Sequence, residues 1–247
     1  MIQTVLFDLD NTLVLFNEEV FFKHYIGRLI PHFQDVLPAD LLQKKLIEST
    51  QVMIKNDGSE TNLHCFLNHF TRDLGKPKDF FWQLFIEFYE NYFDSLGKIA
   101  HSVPQVKEVV DQLKQQDMRL VLASNPVWPL LVQKMRVKWA GLVPEQFDYI
   151  THIENTSYCK PKAEYYMEIC DALKIRPDNC IMVGNDGVND MAAGSIGMRT
   201  YLTTDWLTEI DNSLALSDTI RKHVGNEEKL TPDYQGPLHQ LPNQLFA

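Results

Sequence analysis

Short apolar runs alternate with longer amphipathic segments along much of the chain. Five runs rich in Val, Ile, Leu and Phe are predicted to be strands, and their continuity is typical of strands buried on both faces of a parallel sheet. The segments between the later runs carry apolar residues at helical spacing, which favours a Rossmann-like, doubly wound α/β fold. The predicted strands span 4–9, 119–124, 147–153, 180–185 and 199–204, and the helices between them span 104–116, 130–141 and 162–175.

The connection from the first predicted strand to the second is far too long for one crossover helix. It carries apolar positions at helical spacing in separate segments, so we predict an inserted module of about four helices. The C-terminal segment is rich in proline and has few periodic apolar positions, which predicts an extended tail. The predicted division is a Rossmann-like core over 1–15 and 97–229, a helical insertion over 16–96 and the extended tail over 230–247.

Charge and composition narrow the classes of partner. The net charge is −10, because 33 acidic residues outnumber 23 lysines and arginines. This balance argues against nucleic acid or an anionic membrane as the partner, since both require a basic face. The first apolar run contains acids and has no basic region before it, so it resembles neither a signal peptide nor a membrane span. Four cysteines without a CxxC pair suit a reducing compartment. We therefore expect a cytoplasmic monomer or weak homodimer whose partner is a small molecule.

Two acids interrupt the first apolar run. Asp8 and Asp10 lie two positions apart in an otherwise buried strand, where a carboxylate needs a hydrogen bond, a cation or a metal. In open parallel sheets, ligands bind outside the carboxyl ends of the strands, so polar residues there are expected to converge. Thr12 follows Asp10 closely, and further polar residues follow the carboxyl ends of the later predicted strands. These are Ser124, Asn125, Lys160, Lys162, Asn185, Asp186 and Asp190.

This combination of side chains suits phosphoryl transfer. An acidic cluster can hold Mg²⁺, while a lysine and a hydroxyl can hold the phosphoryl oxygens. Asp8 would attack phosphorus and form an aspartyl-phosphate. Asp10, whose side chain lies on the same side of an extended backbone, would protonate the leaving oxygen and later deprotonate the hydrolytic water.

Four segments in order resemble the four motifs of the haloacid dehalogenase-like superfamily in its phosphatase form. They are "VLFDLDNTL", "VLASNP", "CKPKAEYY" and "MVGNDGVNDMAAG", and the helical insertion resembles the cap domain that this family places between motifs one and two. The resemblance implies a small phosphorylated metabolite as substrate. It also implies Asp8 as nucleophile, Asp10 as acid and base, Ser124 as phosphate binder and Lys160 as the stabilising lysine. Thr12 and Asn125 join Ser124 in the predicted substrate-binding set.

The resemblance further implies that Mg²⁺ is held by Asp8, the backbone carbonyl of Asp10 and an acid of motif four. Much of the family has Gly-Asp where this chain has Gly184-Asn185. We therefore expect Asp186 as the direct ligand, with Asp190 as a second ligand or orienting residue. Asn185 is the alternate, through its amide oxygen.

Other interpretations stay open. Lys162 competes with Lys160, because both lie in "CKPK". A phosphomutase of the same fold would retain Asp10. A haloacid dehalogenase uses the same nucleophile on carbon but needs neither Mg²⁺ nor the second Asp. A catalytically silent binding module is a further alternative, which the intact acids and lysine disfavour.

Overall fold

Within the described residues, the main sheet contains six parallel strands. The computed structural model describes residues 1–209 and 230–246, so residues 210–229 of the predicted core and Ala247 of the predicted tail lie outside the described residues. The strand order is β5-β4-β1-β6-β7-β8, and each neighbouring pair is parallel. The central strand is therefore the first strand of the chain. The strands are β1 (Thr4–Phe7), β4 (Arg119–Leu122), β5 (Tyr149–Ile150), β6 (Cys180–Gly184), β7 (Arg199–Thr203) and β8 (Tyr234–Gly236).

Helices occupy the connections between strands and the long insertion. Two further strands, β2 (Val14–Leu15) and β3 (His101–Ser102), pair antiparallel at the two ends of the insertion. The prediction of a Rossmann-like core with an inserted helical module is confirmed. The helices are α1 (Glu18–Phe33), α2 (Ala39–Ile54), α3 (Asn62–Phe70), α4 (Lys78–Tyr92), α5 (Val106–Gln115), α6 (Leu130–Trp139), α7 (Ala163–Leu173), α8 (Trp206–Glu209) and α9 (Leu241–Phe246).

The insertion has an aromatic core. Helix α1 buries Phe21, Tyr25 and Phe33, which are separated by multiples of four residues, a helical spacing. The aromatic-rich helix α4 buries Phe85 and Phe88 among others. Phe33 and Phe85 lie 4.8 Å apart between ring centroids, and Tyr25 and Phe88 lie 5.7 Å apart. The aromatic stretch of α4 therefore packs in the core of the insertion.

The extended tail predicted over 230–247 is instead partly folded. Strand β8 adds to the edge of the sheet beside β7, and Leu238 and Leu241 are fully buried. The Asp233 carboxylate accepts a hydrogen bond of 2.9 Å from the backbone of Thr200, which holds β8 in place. The sequence pattern did not predict this element for two reasons. The prolines favour an extended chain, and an edge strand of three residues followed by a short helix has too few residues to show a period.

No helix within residues 1–209 and 230–246 is both long enough and apolar enough to cross a membrane.

Candidate active site

Asp8 lies directly beyond the end of the central strand. Its backbone N–H donates to the carbonyl of Val183 in the neighbouring strand, at 2.9 Å, and only 8% of the residue is exposed. The chain then turns at Asn11, which has a φ of 57°. Asparagine tolerates this left-handed conformation better than most residues. The Asn11 side chain closes the turn by accepting from the backbone of Phe16, so the turn does not require the carboxylate of Asp10.

Lys160 is the lysine that reaches Asp8. Its Nζ lies 2.8 Å from Oδ1 of Asp8 and 2.6 Å from Oδ1 of Asp190. Burial by itself lowers the pKa of Lys160, but the carboxylates of Asp190 and Asp8 outweigh burial and leave that pKa well above its usual value. Lys160 is therefore a buried cation. Lys162, its competitor in the sequence, donates instead to the backbone oxygen of Asn56 in the insertion.

Asp190 anchors the loop that carries motif four. Its residue is 1% exposed, and its Oδ2 accepts from the backbone N–H of Asp186 at 2.9 Å. A Cβ atom at Gly184 would lie 2.0 Å from this same Oδ2, so only glycine leaves room for the carboxylate at the end of β6. Burial raises the pKa of Asp190, and the adjacent Lys160 ammonium acts against that rise.

Two neighbouring residues of motif four have different surroundings. Oδ1 of Asn185 lies 3.2 Å from Oγ1 of Thr12, which lies 3.4 Å from Oδ2 of Asp8. Oδ1 of Asp186 instead accepts from the backbone N–H groups of Val188 and Asn189, at 2.8 and 3.0 Å. These contacts connect the alternate residue, Asn185, to Asp8. The carboxylate of Asp186, the expected metal ligand, instead accepts hydrogen bonds from its own loop.

Motif two brings Ser124 and Asn125 to the same edge of the sheet. Ser124 follows β4 and is 2% exposed, and its backbone oxygen accepts from the hydroxyls of Tyr165 and Thr151, both at 2.8 Å. Within the described part of the chain, Oδ1 of Asn125 is buried and has no hydrogen-bond partner. A buried acceptor without a donor is costly, so a donor group of a bound substrate would fit there.

Arg136 belongs to the site, although the sequence did not single it out. Its Nη2 donates to Oδ1 of Asp10, whose side chain is 33% exposed. Burial raises the pKa of Asp10, and the guanidinium of Arg136 acts against that rise. The available signal was the face of α6 that carries Val132, Gln133, Arg136 and Val137, where two of the four buried residues are polar. The lysines at positions 134 and 138 make the pattern harder to recognise, because Arg136 then reads as one of three nearby charged residues.

Oxygen atoms at this edge of the sheet are the groups from which a metal site would be built. Among residues 1–209 and 230–246, no group of three or more His, Cys, Asp or Glu side chains is arranged to hold a metal ion. The oxygen atoms around Asp8 are instead of mixed kind: its own carboxylate and that of Asp190, the hydroxyl of Thr12 and the amide of Asn185. Mixed carboxylate and carbonyl oxygens suit a hard cation such as Mg²⁺.

Comparison with known proteins decides the family. The family profile of the haloacid dehalogenase-like hydrolases matches residues 2–195. The chain belongs to this family. A pyrophosphatase PpaX of Bacillus cereus is 24% identical over 204 residues, which cover 81% of this chain and 82% of that protein.

Solved structures of the family have the same fold. A haloacid dehalogenase-like phosphatase from Thermococcus onnurineus superimposes with a TM-score of 0.57 at 17% identity, covering 99% of this chain and 98% of that one. A 2-haloacid dehalogenase from Pseudomonas syringae pv. Tomato superimposes with a TM-score of 0.63 at 20% identity, with the same coverage. At these identities the likeness concerns the fold alone. The match to the family profile, by contrast, shows that the protein is an enzyme, a haloacid dehalogenase-like hydrolase.

Proposed function

We propose that this hydrolase is a Mg²⁺-dependent phosphatase that cleaves a small phosphate monoester through an aspartyl-phosphate. The observation that carries the proposal is the contact of Asp8 with Lys160 at the carboxyl end of the central strand. A carboxylate nucleophile beside a buried cation suits attack on an anionic phosphoryl group. The relative named as a pyrophosphatase supports phosphoryl chemistry of the same kind.

Each step of the proposed reaction is assigned to a residue of the site. An oxygen of Asp8 would attack phosphorus while the bond from phosphorus to the leaving oxygen breaks. Asp10 in its protonated form would give its proton to that oxygen, and the resulting carboxylate would then take a proton from water. The hydroxide so formed would attack the phosphorus of the aspartyl-phosphate, which releases phosphate and restores Asp8. The Lys160 ammonium, beside Asp8, would stabilise charge on the phosphoryl oxygens.

Charge at the site supports a requirement for Mg²⁺. The single charge of Lys160 is shared by the carboxylates of Asp8 and Asp190, so a dianionic phosphate that approaches Asp8 would still be repelled by net negative charge. Bound Mg²⁺ would offset this repulsion. Asp8 and the backbone carbonyl of Asp10 would hold it together with a side chain of motif four, for which the contact with Thr12 supports Asn185.

A phosphate-release screen tests the proposal. The purified protein would be assayed on sugar phosphates, nucleotides, phosphoglycolate, pyridoxal phosphate and inorganic pyrophosphate, each with Mg²⁺ and with a chelator. We expect release of phosphate from at least one ester only with Mg²⁺, and none from the Asp8→Asn variant. Release of halide from a 2-haloacid without metal would support a dehalogenase instead. Isomerised sugar phosphate without free phosphate would support a phosphomutase.

A further inference from the structure

Arg136 is buried in the middle of helix α6, where a charge is expensive. It is 1% exposed and is among the largest fully buried side chains of the described residues. Its Nη1 donates to Oε1 of Gln133 at 2.8 Å and its Nη2 to Asp10, while its Nε has no hydrogen-bond partner among the described residues. Apolar residues of similar size often replace buried ion pairs without loss of stability. Stability alone therefore gives little reason for an arginine here.

The surroundings of Arg136 connect two of the catalytic segments. Gln133, which accepts from Arg136, donates to the backbone oxygen of Thr151 at 3.1 Å. The Thr151 hydroxyl in turn lies 2.8 Å from the backbone oxygen of Ser124. One buried series of hydrogen bonds therefore runs from the side chain of Asp10 to the backbone of the motif-two loop.

The insertion also reaches this arginine. The guanidinium carbon of Arg136 lies 5.9 Å from the centre of the Trp128 ring. Trp128 itself packs against Tyr25 and Phe93 of the insertion, each with ring centroids 5.2 Å away. Arg136 is thus fixed on several sides by packed or hydrogen-bonded groups. The Asp10 carboxylate, by contrast, lies just before a turn and is one-third exposed.

We propose that Arg136 is a positioning residue, which holds the Asp10 carboxylate in the orientation needed to exchange a proton with the leaving oxygen and with water. This role rests on the proposed phosphatase function. Proton transfer requires the acid to lie within hydrogen-bond reach of the atom it protonates, and a freely rotating carboxylate would spend little time there. The rigid guanidinium supplies that restraint through one donor, Nη2, while Nη1 is held by Gln133.

The test compares two esters that differ in their need for an acid. An aryl phosphate such as p-nitrophenyl phosphate has a good leaving group, whereas an alkyl phosphate such as glycerol 3-phosphate requires protonation of the leaving oxygen. We expect Arg136→Met to lose at least about tenfold more turnover on the alkyl ester than on the aryl ester, at saturating Mg²⁺. Arg136→Lys, which keeps a cation, should recover part of that difference. Lys138→Met, an exposed position on the same helix, should match the parent on both esters.

A double variant that also carries Asp10→Asn distinguishes a positioning role of Arg136 from a purely structural one. If Arg136 acts through Asp10, adding Arg136→Met to Asp10→Asn should change the ratio of the two turnover rates by less than about twofold. Equal losses on both esters, or the same further change in the Asp10→Asn background, would overturn the positioning role. Arg136→Lys carries the test if Arg136→Met does not fold. If the unmodified protein released no phosphate from either ester, the proposed function would be overturned. If Asp10→Asn lost more turnover on the alkyl ester than on the aryl ester but the Arg136 variants did not, only the positioning role would be overturned.

Discussion

The Nζ atom of Lys160 lies 2.8 Å from Oδ1 of Asp8, although 152 positions separate the two residues in the chain. The parallel sheet produces this proximity, because the loops that follow its strands meet at one edge. Asp190 completes the arrangement from a third loop, with its Oδ1 2.6 Å from the same Nζ. A buried lysine between two carboxylates holds both in fixed positions, and it leaves Asp8 as the more exposed of the two.

Replacing Asp8 with Asn should abolish turnover. An amide is a poor nucleophile, and the substitution also removes one proposed metal ligand. Phosphate release from an aryl phosphate would be measured beside circular dichroism, which should show an unchanged fold. Activity within tenfold of the parent would contradict the covalent role of Asp8.

Lys160→Met should reduce kcat by about a hundredfold or more, since it removes the ammonium that would stabilise the phosphoryl oxygens. The substitution also leaves Asp8 and Asp190 without their shared cation. A thermal unfolding curve should therefore show that the variant is folded at the assay temperature. Lys162→Met is the matched control, because Lys162 lies two positions away but contacts the insertion. If both variants lost activity equally, Lys160 would have no special part in the reaction.

The sequence predicted that Asp8 and Lys160 would converge at one edge of the sheet, because strand ends can be located approximately from apolar runs. It could not separate Lys160 from Lys162 without the family resemblance, since both follow the same strand and only the path of the loop decides which one turns inward. Arg136 was not predicted, because its burial depends on which face of α6 is turned towards the interior of the protein. That face mixes apolar and polar residues.

The C-terminal segment shows a different limit. A central strand such as β6 is apolar throughout, because it is covered on both faces. Strand β8 has three residues at the edge of the sheet, none of them fully buried. It depends on tertiary hydrogen bonds such as that of Asp233 with Thr200. Such an element leaves little periodic signal in the sequence.

Asp10→Asn should give a different kinetic pattern from Asp8→Asn. The nucleophile remains, so the first step on an aryl phosphate should be impaired less than that on an alkyl phosphate, which needs an acid. Breakdown of the aspartyl-phosphate should be slow, because no base activates the water. Rapid-quench measurements on the aryl ester should therefore show a burst of phenol followed by slow turnover. Equal losses on both esters without a burst would show that Asp10 has no role in proton transfer.

Motif four offers two candidate ligands, Asn185 and Asp186, whose variants should differ. If Asn185 holds Mg²⁺, Asn185→Ala should raise the concentration of Mg²⁺ for half-maximal activity by at least about tenfold. Asn185→Asp should lower it, because a carboxylate binds a hard dication better than an amide. Asp186→Ala should act mainly on its loop, through the hydrogen bonds it accepts from Val188 and Asn189. Calorimetric titration with Mg²⁺ provides the second measurement, and a larger loss of affinity in Asp186→Ala would identify Asp186 as the ligand.

Asn62 connects the insertion to the loop that precedes Lys160. It is fully buried, and its Nδ2 donates to Oγ1 of Thr156 and to the backbone oxygen of Tyr158, both at 3.1 Å. Its Oδ1 accepts from Asn56 at 3.0 Å. Truncation would remove these three hydrogen bonds together.

Asn62→Ala should therefore lower the free energy of unfolding by about 2–3 kcal/mol, measured by urea denaturation, because several hydrogen bonds of a fully buried side chain are lost at once. Asn91→Ala is the matched control on helix α4, where the exposed Asn91 side chain donates only to the backbone of Glu87. It should change the free energy of unfolding by less than about 0.5 kcal/mol. If the two variants were equally stable, the hydrogen bonds of Asn62 would not hold the insertion to the loop. A loss confined to Asn62→Ala, together with reduced turnover at temperatures where that variant is folded, would show that this contact also positions Lys160.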